Sequence, residues 1–87
     1  MTDFTPGYHL RPIPKGTLGE LSKVQEELDE ALDAQEQGVS IMLLVELSDM
    51  VGALDAYLAK HHPTVTLQDL QKMAAVTRRA FESGRRT

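Results

Sequence analysis

Between Ile41 and Ala59 the chain is predominantly apolar, yet Glu46, Asp49 and Asp55 stand inside that run. No other segment restricts the fold so tightly. The run is long enough to suggest a membrane span, but a charge near the bilayer centre costs about 2.5–3.5 kcal/mol. It is therefore expected to be a buried helix of a soluble assembly, with no membrane partner. Within IMLLVELSDMVGAL the neighbours of Glu46 and Asp49 are apolar nearly all round, so both carboxylates are expected to be substantially buried. A buried carboxylate without compensation costs several kcal/mol or stays protonated. Three solutions are open: protonation, a distant basic partner, or a bound cation.

The rest of the chain divides at its helix breakers. Residues 1–16 carry Pro6, Pro12, Pro14, Gly7 and Gly16, and form an expected irregular N-terminal arm. Thr17 to Glu20 reads T-x-x-E, a capping box that predicts a helix start. Leu18, Leu21, Val24, Leu28, Ala31 and Leu32 then recur at helical spacing. Gly38 is the expected stop, and Ser40 the expected cap of a second helix reaching about His61, before Pro63. Thr66 to Asp69 repeats the capping pattern ahead of a third apolar-periodic helix that Gly84 ends. The prediction is one all-α domain over residues 17–84, a three-helix chain with an antiparallel helical hairpin, and a tail at 85–87. At 87 residues, with two Tyr, two Phe and no Trp, its aliphatic core is small, which favours assembly into an oligomeric helical bundle.

The charge distribution narrows the chemistry. Glu20 to Asp55 holds ten acids against the single base Lys23, whereas the chain as a whole carries −4. An acidic body of this kind repels phosphate, which disfavours nucleic-acid binding, and attracts multivalent cations. Absence of cysteine excludes disulfides and thiolate metal sites and fits a cytoplasmic location. The N-terminus lacks the basic and apolar regions of a signal peptide.

Glu27 and Glu30 are three residues apart on the first helix, and Glu46 and Asp49 repeat that spacing on the second. Glu30 and Glu46 are equidistant from Gly38, as are Glu27 and Asp49. In an antiparallel hairpin these pairs lie level, near 12 and 16 Å from the turn at about 1.5 Å per residue. Four such carboxylates suit a hard divalent cation, Mg²⁺ or Mn²⁺. Asp29, Asp33 and Glu36 are expected to form a solvated face. No glutamate has a histidine three residues later, which excludes the di-iron bundle pattern. His61 and His62 suit a helix C-terminus, and His9 in the arm has no sequence context that assigns it a role. There is no glycine-rich phosphate loop.

EELDE at 26–30 followed by ELSD at 46–49 resembles the E-E-x-x-E and E-x-x-D motifs of the MazG-like all-α NTP pyrophosphohydrolases, over residues 18–60. The arm RPIPKG at 11–16 is similar to that of the small phage-type branch, some members of which act on guanine deoxynucleotides in phages that make 2-aminoadenine DNA. The resemblance implies hydrolysis of a nucleoside triphosphate, dGTP or GTP, to the monophosphate, with pyrophosphate or two successive phosphates released. It implies Glu27, Glu30, Glu46 and Asp49 as ligands of two or three Mg²⁺ or Mn²⁺ ions, with Glu26 supporting the attacking water or a further ion. It also implies a dimer or tetramer. The chain lacks the Trp-bearing N-terminal helix of longer relatives. Ile13, Pro14 and Lys15 are then the candidates for the purine, and Lys23 for the phosphates, with an oligomer strap as the arm's other role. The rival expectation is a non-enzymatic helical oligomerisation module.

Overall fold

The computed structural model describes residues 9–82, apart from the Phe81 side chain. The expected Gly84 stop, the 85–87 tail and the first part of the arm lie outside the described residues. Three helices follow one another: α1 (Leu21–Gln37), α2 (Ser40–His61) and α3 (Leu67–Glu82). Every regular element among the described residues is helical, so the domain is all-α. No helix among them is long and apolar enough to cross a membrane.

The first expected capping box does not form. α1 begins at Leu21, three residues later than a Thr17 cap implies, and Glu20 at its N-cap makes no side-chain cap. The Glu20 carboxylate is instead drawn to Lys60 and His61 at the end of α2. Thr17 to Glu20 becomes a turn, in which Glu20 N–H donates to the Thr17 carbonyl at 2.9 Å.

At the other end of α1 the stop is as expected. Gly38 takes φ 76°, where a side chain would be strained. Gly38 N–H donates to the Gln35 carbonyl and Val39 N–H to that of Ala34, the paired closure of a Schellman motif. This closure uses Val39, which is also the extended N-cap of α2, so Ser40 is already helical and caps nothing. The α3 cap does form: Asp69 N–H donates to Thr66 Oγ1 at 3.1 Å and Thr66 N–H to Asp69 Oδ2 at 2.9 Å.

α1 packs along α2, and α3 packs on α2 alone. The interior is unusual in kind. Its buried apolar residues are Ile13, Ala31, Ala34, Ala53 and Leu58, most of them small, beside buried Glu26, Glu27, Asp33 and Glu46. The leucine stripe of α1 lies outside: Leu21, Leu28 and Leu32 are all exposed, as are Ile41, Leu44, Val45, Leu47 and Val51 of α2. The α1 surface turned toward α2 and the arm is thus its carboxylate face.

Candidate metal centre

Helical spacing places Glu26, Glu27 and Glu30 on adjoining positions of α1, and one oxygen from each falls within 4.8 Å of the others. From α2, Glu46 and Asp49 come level with them: one oxygen each of Glu27, Glu46 and Asp49 also lies within 4.8 Å of the other two. His9, Glu30 and Glu46 form a third group of the same tightness. The predicted ligand set is therefore brought together as overlapping triplets. Two ligands on one ion at about 2.1 Å lie at most about 4.2 Å apart, so small carboxylate torsions close the remainder.

Burial differs along the set. Glu46 is 2% exposed and Glu27 5%. Asp49, expected to be buried, is exposed. It lines an open cleft of roughly 440 Å³ together with Leu18, Lys23, Glu27, Ser48, Gly52 and Ala53. A helix with apolar neighbours all round still has one side facing this opening, and Asp49 is on it. The centre thus has a buried end at Glu46 and an open end at Asp49.

The electrostatics follow from crowding acids around one base. Lys23 Nζ lies 3.1 Å from Glu26 and 3.3 Å from Glu27. Burial pushes the Glu27 carboxyl up, Lys23 pulls it down less strongly, and the Asp49 and Glu26 charges add to the rise. Glu30 is pushed up to about 8 by burial, by a hydrogen bond with Glu46 and by the charges of Glu27 and Glu46. Burial would raise Glu26 too, but the Gly16 N–H at 2.9 Å and the Lys23 ammonium outweigh it and bring it below the usual range. Glu27 Oε1 is buried without a hydrogen-bond partner. A buried carboxylate oxygen left in this way is costly, and oxygen-only donors suit Mg²⁺ or Mn²⁺. The residues fit a divalent cation.

The arm lies against α1 and is fixed at both ends. Gly16 presses on the first turn so closely that a Cβ there would stand 2.1 Å from the Ser22 carbonyl oxygen and 2.5 Å from Lys23 N. At the other end Leu10 N–H donates to both oxygens of Asp33, at 3.1 and 2.9 Å, and Arg11 pairs with Glu36. Of the predicted purine contacts, Ile13 is buried in the core, its backbone included, at 3% exposure and is not open to a ligand, whereas Pro14 and Lys15 are exposed. Arg78 pairs with Glu82 of its own helix and is largely solvated.

Two residues that sequence reasoning left out belong to this region. Asp33, assigned to a solvated face, is fully buried because it receives the arm. The signal for it was present: Glu26, Glu30 and Asp33 follow i, i+4, i+7 spacing on one face. His9 is 5% exposed at its side chain, with Nε2 4.0 Å from Glu30 and Nδ1 3.7 Å from Asp33. No spacing rule foretells where an irregular arm lies, so nothing in the sequence alone marked it. Searches of protein-family models, curated proteins and solved structures found no match to this chain.

Proposed function

We propose that this chain is a metal-dependent nucleoside triphosphate pyrophosphohydrolase of the MazG-like kind, acting on a guanine nucleotide, dGTP or GTP, and releasing pyrophosphate or two phosphates in succession. The observation that carries the proposal is the meeting of Glu27 and Glu30 with Glu46 and Asp49, with a buried Glu27 oxygen lacking any hydrogen-bond partner.

Glu27, Glu30, Glu46 and Asp49 would hold two or three Mg²⁺ or Mn²⁺ ions. Bound there, such ions supply a Lewis acid for phosphate oxygens and a water acidic enough to attack near neutral pH. The chain's own groups do the positioning. Asp49, at the open end, meets the substrate side, while Glu46 anchors the buried end. Glu26 holds Lys23 and the Gly16 backbone through Oε1, and its ionised carboxylate orients a water at the edge of the site. Lys23, at the cleft, is the counter-charge for the triphosphate. Pro14 and Lys15 are the base-recognition surface, with Ile13 anchoring the arm beneath them.

The same proposal makes α1 and α2 an antiparallel hairpin whose outer apolar rows are covered by further copies in a dimer or tetramer. Leu44 at 63% exposure and Ile41 at 72% support that part, since fully burying one such side chain contributes about 1.5–3 kcal/mol. The exposed rows also favour the second possibility, a non-enzymatic oligomerisation module.

Incubation with a panel of NTPs and dNTPs plus Mn²⁺, with the products separated by chromatography, tests the proposal. The expected products are a guanine nucleoside monophosphate with pyrophosphate or phosphate. Glu46→Gln should lower turnover by about 100-fold or more, since the metal's contribution is several kcal/mol. No cleavage of any nucleotide would leave the oligomerisation module.

A further inference from the structure

The strap formed by residues 9–16 does more than cover α1, because it delivers a nearly buried imidazole to the carboxylates. The His9 ring lies between two acids of different surroundings. Its Nδ1 faces Asp33 at 3.7 Å and its Nε2 faces Glu30 at 4.0 Å. Asp33 is held by the Leu10 N–H and by Gln37 Nε2 at 2.6 Å, and sits outside the Glu27–Glu46–Asp49 group. Glu30 opens onto Glu46, and one atom each of His9, Glu30 and Glu46 falls within 4.8 Å of the other two. Beside this triplet, the buried Glu27 oxygen without a hydrogen-bond partner indicates that the local arrangement is short of positive charge.

We propose that His9 Nε2, Glu30 and Glu46 form a mixed nitrogen and oxygen cation site, with Asp33, 3.7 Å from Nδ1 and so outside hydrogen-bond distance until the ring moves onto it, as the positioning residue. A carboxylate behind a histidine fixes the tautomer and strengthens the ring as a ligand. The arm thereby becomes part of the metal centre, and threading Leu10 onto Asp33 sets the height at which the imidazole enters. An imidazole nitrogen shifts the choice of ion from Mg²⁺, which prefers oxygen donors, toward Mn²⁺ and the later first-row metals. This inference builds on the carboxylate centre of the proposed function, but not on its nucleotide chemistry.

Electron spin-echo envelope modulation of Mn²⁺ bound to the full chain provides the test, because it detects a directly coordinated ¹⁴N independently of turnover. The wild type should show imidazole ¹⁴N modulation. His9→Ala should lose it while Mn²⁺ still binds at Glu27, Glu46 and Asp49, with helicity checked by circular dichroism. Should the alanine variant unfold, His9→Gln keeps a polar side chain of similar reach and should lose the same signal. Asp33→Asn, which still accepts from Leu10, should weaken Mn²⁺ binding by about 10–100-fold and diminish the ¹⁴N modulation. Bound Mn²⁺ without nitrogen modulation in the wild type would overturn the inference, as would modulation that persists in both His9 variants. Nucleotide cleavage without nitrogen coupling removes this inference and leaves the proposed function. Nitrogen-coupled Mn²⁺ without cleavage does the reverse.

Discussion

Asp33 illustrates how a single side chain can be misjudged from its neighbours and then explained by its partners. Burial alone would raise its pKa. The Gln37 amide, the Leu10 and Arg11 N–H groups and the nearby His9 ring together outweigh that and bring it below its ordinary 3.8. A carboxyl whose folded pKa is depressed contributes stability that is fully present above the unfolded value and is lost as pH falls through the folded one. Asp33→Asn should therefore be less stable than the wild type at neutral pH, and the gap should close as pH drops below about 3.8. Thermal unfolding followed by circular dichroism across that range checks this, and a gap independent of pH would count against it. Some residue-scale features are legible in the sequence because they depend only on helical spacing, as with Glu27, Glu30, Glu46 and Asp49. Asp33 shares that helical spacing with Glu26 and Glu30, but what docks on it does not follow from the sequence: His9 and the Leu10 N–H arrive on an irregular segment.

At the scale of elements, the three helices and the stops of α1 and α2 follow from local chemistry, whereas the start of α1 does not. The Thr66–Asp69 box forms because each side chain accepts from the other residue's backbone N–H. The Thr17–Glu20 box fails because the Lys60 ammonium and the His61 ring offer Glu20 other partners across the interface. A motif four residues long carries no information about a competitor forty residues away. The strap has its own requirement at Gly16. Gly16→Ala places a methyl against the α1 backbone, and overpacking of this kind costs about 1–3 kcal/mol. Hydrogen exchange should then report loss of protection at Leu10 and Gly16 N–H, with α2 and α3 little changed. Unaltered protection in the strap would show that the close approach is dispensable.

Among the described residues, Glu26, Glu27, Asp33 and Glu46 point inward while the Leu21, Leu28 and Leu32 stripe lies outside, the reverse of what an isolated small domain needs. Sequence periodicity marks Leu21, Leu28 and Leu32 as one stripe, but it cannot say whether the stripe meets α2 or another chain. Acidic residues occupy the α1–α2 interface, so the stripe remains outside. If copies of the chain cover it, Leu44→Asp should shift the protein to a monomer in sedimentation experiments and lower its midpoint of thermal unfolding. An unchanged sedimentation profile would exclude Leu44 from an interface. The inward acids make the more specific demand, since Glu26 and Glu27 share Lys23 and one buried Glu27 oxygen has no hydrogen-bond partner. Titration calorimetry with Mn²⁺ addresses that demand directly. The account predicts saturable binding to the wild type and its loss or marked weakening in a Glu27→Gln, Glu46→Gln double variant that stays helical. Absence of binding heat and of any thermal stabilisation by Mn²⁺ in the wild type would contradict it.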